Sequence, residues 1–239
     1  MRTLLLLMVM LIPMLGGRLG GAPELLPAQL EGIDVSHHQK KIDWAAVVSE
    51  EMPQFAFVKA TEGADFVDSL FCHNWESLRR FGIRRGAYHF FHAYGCGVDQ
   101  ARNFLQNVEM APGDLPPVLD IETTDGMPPE VMLEEARVWL QEVEKRLGIK
   151  PIIYTNQNFY EKYLAGLFDN HPLWIAKYDT ERPELSSGAR WQFWQYSNAG
   201  RFNGVNGNID RNIFAGTSDM LDKLRWNPHP ASTPVEAAP

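Results

Sequence analysis

The chain is short of cysteine, of long apolar runs and of basic residues, and each shortage narrows what it can be. Two cysteines in 239 residues, Cys72 and Cys96, with no C-x-x-C spacing, leave no zinc-ribbon or dithiol redox motif. Their number alone fits one disulfide in an exported protein equally with two free thiols. The apolar stretch from Leu4 to Leu15 is shorter than the roughly 20 residues of a membrane span, and Pro13 interrupts it. A formal net charge of -8 sets the surface against polyanions, so neither a nucleic-acid partner nor stable membrane association is expected. No glycine-rich phosphate turn follows the first strand candidate, where Asp34-Val35-Ser36-His37-His38 stands, which argues against an open doubly wound nucleotide-binding sheet. Ser36 also lacks the G-x-S-x-G surroundings of a nucleophile elbow.

The two ends read differently from the middle. Arg2, the apolar run and then Gly16, Gly17, Gly20, Gly21 and Ala22 follow the order of a secretory signal, which predicts a signal peptide over 1–21, with the cut site left open, and a secreted or periplasmic location. Residues 22–30 (APELLPAQL) read as a linker. Residues 225–239 are rich in Pro and Ala, without periodicity, and are expected to form a disordered tail. Residues 31–224 form one uninterrupted stretch with no internal repeat and no appended module, expected to be a single monomeric domain.

Within that stretch short apolar segments alternate with amphipathic ones. Strands are predicted at Ile33–Ser36, Phe55–Thr61, Gly86–His92, Pro117–Glu122, Pro151–Asn156, Leu173–Tyr178 and Gln192–Ser197, with a weaker one at Asn208–Arg211. Helices are predicted at Leu70–Phe81, Asp99–Val108 and, most clearly, Pro129–Leu147, where Val131, Ala136, Leu140 and Val143 recur near helical spacing and Gly148 supplies a stop. Strand–helix alternation with about eight strands predicts an α/β fold, a single parallel β/α (TIM-like) barrel. The weak helical patterns after the fifth to seventh strands make it an irregular one.

Polar residues gather toward the C-terminal ends of these strands: Asp34, Lys59, Glu62, Tyr88, His89, Asp120, Glu122, Tyr154, Asn156, Trp174, Lys177, Gln195 and Asp210. In a β/α barrel those ends converge on one mouth, where active sites are built. Asp120-Ile121-Glu122 is the sharpest element, because residues two apart on a strand share a face and their Cα atoms lie roughly 6.6 Å apart. Adjacent carboxylates raise each other's proton affinity, as a glycosidase requires of the acid that protonates its leaving oxygen. His37-His38 and His89/His92 could in principle serve a metal, but His89 and His92 point to opposite faces of a continuous strand, so core or rim histidines are the simpler reading and no metal site is assigned. Tyr88, Tyr154 and Trp174 stand near the polar strand ends, where an aromatic face can stack on a sugar; elsewhere aromatic residues in strands are read as core. With the strands closed into a barrel, Cys72 and Cys96 would both fall near its mouth, which favours their pairing as a disulfide.

Several motifs, in order, resemble the family 25 glycoside hydrolases, the Chalaropsis-type lysozymes (N-acetylmuramidases). They are Glu31-Gly32-Ile33-Asp34-Val35-Ser36 with Gln39 and Ile42-Asp43-Trp44, Phe57 to Gly63, Gly86-Ala87-Tyr88-His89-Phe90, Pro117 to Glu122, and Trp194-Gln195-Tyr196-Ser197. The resemblance spans about residues 31–224. It departs at Lys40-Lys41, where many members carry a Gly, and in lacking the wall-binding repeats of some members. It implies a flattened, irregular β/α barrel that needs no cofactor and cuts the β-1,4 bond between N-acetylmuramic acid and N-acetylglucosamine in peptidoglycan glycan strands. By the same resemblance Glu122 is the general acid, Asp120 its neighbouring carboxylate, and Asp34, Asp210, Tyr88 and Tyr154 line the sugar site, joined by Trp174 and Gln195 at the same strand ends. Asp120 either steers the substrate's 2-acetamido group, giving retention, or activates water, giving inversion, and the sequence leaves both open. A chitin-directed glycosidase and a catalytically silent peptidoglycan-binding protein are the alternatives.

Overall fold

The computed structural model describes residues 29–178 and 182–228. The expected signal peptide, most of the linker and residues 229–239 of the expected tail lie outside the described residues. Nine strands form one sheet: β1 (Leu30–Val35), β2 (Phe55–Glu62), β3 (Phe66–Val67), β4 (Arg84–Phe90), β5 (Val118–Asp120), β6 (Ile152–Asn156), β7 (Leu173–Ala176), β8 (Phe193–Gly200) and β9 (Ile209–Phe214). Their order is β1-β9-β8-β7-β6-β5-β4-β2-β3, and β1 also pairs with β2, so eight strands close into a barrel while β3 stays outside as a hairpin on β2. Around it lie α1 (Trp44–Glu50), α2 (Phe71–Arg80), α3 (Gly97–Asn107), α4 (Pro129–Leu147), α5 (Gln157–Phe159), which runs on into a π-helical turn at Tyr160–Leu164, and α6 (Ser218–Lys223).

The barrel is α/β and irregular, as the sequence predicts. Every neighbouring pair from β1 round to β8 is parallel, but β9 runs antiparallel to both β8 and β1. This corrects the expectation of an all-parallel barrel. Residues 201–208 are too few for a crossover helix, which takes a dozen residues or more, so the chain folds straight back on β8. The barrel also extends slightly at both ends: Leu30 pairs with Phe214, and Trp226 donates from its indole Nε1 to the Leu147 carbonyl at 2.7 Å.

Side chains alternate along each strand between two apolar layers. Val58, Leu119, Ile121, Ile153 and Ile175 point outward into the apolar layer that also holds Phe104 and Trp139 of α3 and α4. Phe55, Phe57, Val118, Ile152, Trp174, Phe193 and Phe214 point inward, with Leu221 of α6 packed against them. Burying each such side chain is worth about 1.5–3 kcal/mol. The interior fits because two strands carry glycine there: a Cβ at Gly32 would lie 2.4 Å from the Phe55 ring, and one at Gly86 2.5 Å from the Phe57 ring. Gly86→Ala is therefore expected to lower stability by about 2 kcal/mol through overpacking. An unchanged midpoint in denaturant unfolding would show that the Phe57 ring can give way.

Along this inner face the residue type changes in one direction. Gly32 is followed by Asp34, Phe57 by Lys59, Gly86 by Tyr88, Val118 by Asp120, Ile152 by Tyr154 and Phe193 by Gln195. On the reversed β9 the same progression runs Phe214, Asn212, Asp210. The lower barrel is thus a dry plug and the upper barrel a polar cavity.

Candidate active site

That cavity, of about 330 Å³, is lined by Asp34, Lys59, Tyr88, Asp120, Glu122, Tyr154, Trp174, Gln195 and Asp210, and also by His38, Phe90, Tyr178 and Asn198. All eight residues that the sequence points to are brought together in it. Asp120 ends β5, Ile121 turns outward into the helix-side core, and Glu122 follows on the same side as Asp120. Asp210 reaches the mouth because β9 is reversed, which puts its N-terminal end, rather than its C-terminal end, at the top of the barrel.

Hydrogen bonds fix the far wall. Asp34 Oδ2 accepts from Gln195 Nε2 and from Asn212 Nδ2, both at 2.8 Å. The Gln195 carbonyl oxygen in turn accepts from the hydroxyls of Tyr154 (2.9 Å) and Tyr178 (2.7 Å), and Asn212 Oδ1 accepts from the Trp174 indole at 2.8 Å. Each amide is held by aromatic donors on one side and offers its N–H to Asp34 on the other. Asp34 also sits directly opposite Asp210 across the β1–β9 pair. Burial, and then the nearby charge of Asp210, push the Asp34 carboxyl well above the ordinary range, while burial raises Asp210 to about 6.

On the near wall, burial and the charge of Glu122 raise Asp120, and burial and the charge of Asp34 raise Glu122. The Lys59 ammonium pulls both the other way. Asp120 Oδ1 is buried and has no hydrogen-bond partner among the described residues, which is costly where nothing is to be bound. Lys59 is 7% exposed, donates to Glu62 Oε2 at 2.5 Å and lies 5.0 Å from the centre of the Phe90 ring. Buried tyrosines complete the lining, with Tyr88 and Tyr154 held well above their ordinary range by burial and the surrounding carboxylates.

Other sequence candidates go elsewhere. His89 faces outward, stacked on Trp139 at 5.5 Å, its Nδ1 2.7 Å from the Thr61 hydroxyl and its Nε2 3.3 Å from Gln100 Oε1. Burial lowers it to about 3, so it is a neutral core residue. Asn156 caps α5 by accepting from the Phe159 N–H. His37 Nδ1 lies 2.6 Å from Asp68 Oδ2, and its ring lies 4.1 Å from that of His38. Cys72 and Cys96 are both free and exposed, which corrects the expected disulfide: Cys72 lies in the first turn of α2 and Cys96 just before the first residue of α3. Asn212, Tyr178 and Asn198 were not assigned to the site from sequence, and His38 and Phe90, named there only as a weighed metal candidate and as part of a family motif, also line the cavity. Asn212 was within reach, since it stands two residues from Asp210 on the same face of β9.

A closed β/α barrel whose mouth holds an acid pair, with further carboxylates and aromatic faces around it, defines a glycosidase type of site. The chain matches the family described as Glycosyl hydrolases family 25 over residues 33–205, and it belongs to that family and is a glycoside hydrolase. It is 44% identical over 196 residues to the protein YegX of Escherichia coli O6:H1, covering 80% of this chain and 72% of that one. It is 36% identical over 212 residues to Lysozyme M1 of Streptomyces globisporus, covering 83% and 72%. The solved structure of a family 25 glycosyl hydrolase from Bacillus anthracis resembles it with a TM-score of 0.76 at 36% identity, covering 81% of this chain and 92% of that one.

Proposed function

We propose that this enzyme is a lysozyme, an N-acetylmuramidase that hydrolyses the β-1,4 bond between N-acetylmuramic acid and N-acetylglucosamine in peptidoglycan, with Glu122 as its general acid. The observation that carries the reading is the pair Asp120 and Glu122 on one face of the mouth, both with raised proton affinity, in a family 25 barrel. Glu122 gives its proton to the glycosidic oxygen as the bond to the anomeric carbon breaks. Asp120 accepts the 2-acetamido N–H and so aims that group's carbonyl oxygen at the anomeric carbon, forming a ring that water then opens with retention. The Glu122 carboxylate takes up the proton of that water and is reset. Asp120 suits this part because it is almost wholly buried, away from bulk water, and its partners Tyr154 and Phe90 on the flanking strands are aromatic.

The same reading makes the protein an exported enzyme, since the signal pattern precedes the barrel in sequence. The presence of all four carboxylates around one cavity favours an enzyme over a silent binding protein. Fragments released from purified peptidoglycan are expected to carry N-acetylmuramic acid at the reducing end by mass spectrometry, and the first-formed anomer to be β by NMR. Reducing-end N-acetylglucosamine would overturn the bond assignment, and an α anomer the role given to Asp120.

A further inference from the structure

Phe90 is the last residue of β4 and lines the cavity, and from it a run of rings leads outward. The His92 ring meets Phe90 edge-on at 5.3 Å, and Tyr94 stacks on His92 at 4.9 Å with an interplanar angle of 24°. Tyr94 is 66% exposed, more than any other large apolar or aromatic side chain among the described residues. On the other side of Phe90, Phe66 at the β3 edge is also exposed, with the Lys59 ammonium 5.8 Å from its ring.

This loop is held firmly for one so exposed. Buried Gln100 receives the His92 N–H on its Oε1 at 2.9 Å and donates from Nε2 to the carbonyls of His92 (2.8 Å) and Gly95 (3.1 Å). Asp125 Oδ2 takes the Ala93 N–H at 2.7 Å, and the His92 ring nitrogens lie 3.0 Å from Glu62 and 3.2 Å from Asp125. An aromatic face that is open to water yet fixed in orientation loses little freedom when a ligand settles on it. The fold gains little from Tyr94, two thirds of which is exposed.

We propose that the rim formed by Phe90, His92 and Tyr94 is an outer sugar subsite, in which Tyr94 stacks a pyranose ring of the glycan strand beyond the residues held in the cavity. The proposal rests on the muramidase reading above and adds where the polymer runs: over the β4–α3 loop, continuous with the cavity wall at Phe90. A pyranose presents an apolar C–H face to such a ring, and a strand too short to reach the rim gains nothing from it.

The test compares Tyr94→Ala and Tyr94→Phe with the unsubstituted enzyme on long uncrosslinked glycan strands and on a tetrasaccharide. For Tyr94→Ala, kcat/KM on long strands is expected to fall about fivefold to tenfold, carried by KM, with a loss on the tetrasaccharide several times smaller. Tyr94→Phe keeps the stacking face and is expected to restore the long-strand rate. Equal losses on both substrates, or no loss on either, would overturn the subsite while leaving the muramidase reading intact. If the unsubstituted enzyme releases nothing from peptidoglycan, both readings fall. Thermal melts of the variants, expected to match the unsubstituted protein because Tyr94 is exposed, separate a lost subsite from a lost fold.

Discussion

Glu122→Gln is expected to lower kcat on peptidoglycan by about a thousandfold or more while leaving the barrel folded. The amide keeps the size and shape of the side chain but holds no proton acidic enough for the glycosidic oxygen. Folding should survive, because Glu122 lies just past the end of β5 and takes no part in either apolar layer. Its neutral replacement also relieves two strains, since burial and the Asp34 charge both oppose ionisation at this position. The same raised affinity predicts the pH profile. Activity needs protonated Glu122, so it should decline as pH rises through the Glu122 pKa, with that basic limb above the ordinary carboxyl range. Rates of fragment release from pH 4 to 8, with thermal melts of both proteins, check the two statements together. Substantial retained activity in a folded variant would remove Glu122 from the acid's place.

Much of this site was legible in the sequence because strands have the simplest periodicity there is. In Asp120-Ile121-Glu122 the alternation alone sets two carboxyls to one side and Ile121 to the other, and the barrel observes it. Gly86-Ala87-Tyr88-His89 obeys the same rule, sending Tyr88 inward and His89 out to Trp139, where a list of polar strand ends had grouped the two. What the pattern lacked was direction. Asp210 precedes Asn212 and Phe214 along the chain, so its inner face runs from polar to apolar, opposite to β1 and β5; that inversion, with a link of residues 201–208 too short for a helix, was the available sign of an antiparallel strand. Short elements escaped for a different reason. β3 has two residues and α6 six, too few for a period to show, and each is held by tertiary packing rather than by its own pattern. The cysteines failed as evidence because proximity to one mouth does not bring two side chains within bonding reach.

Asp210→Asn is expected to make the protein more stable at neutral pH and less active. Burial pushes Asp210 up to about 6 in the folded protein against 3.8 for the free side chain, with the Glu122 charge adding to the effect and a hydrogen bond with Asp34 acting the other way. The folded state therefore holds this proton more tightly than the unfolded chain does. As pH rises from about 4 to about 6 the unfolded chain has released the proton and the folded one has not, so stability falls across that window and stays lower above it. The sign is the reverse of that for a salt-bridged carboxylate. At pH 7 the ionised group costs about 2–3 kcal/mol, which an amide of the same shape does not incur. For a chain of this size that corresponds to a rise in Tm of roughly 4–10 °C. At pH 4, where the carboxyl is protonated in the folded state, the two proteins should melt at nearly the same temperature. Activity should move the other way, falling by about tenfold, because the cavity loses one of the charges that would face positive charge developing at the anomeric carbon. A cluster of carboxylates facing one another across β1 and β9 is poor engineering for a core and sound engineering for a site that must stabilise a cation. If Asp210→Asn melts no higher than the unsubstituted protein at pH 7, or higher by the same margin at pH 4, the buried charge of Asp210 is not what limits the fold.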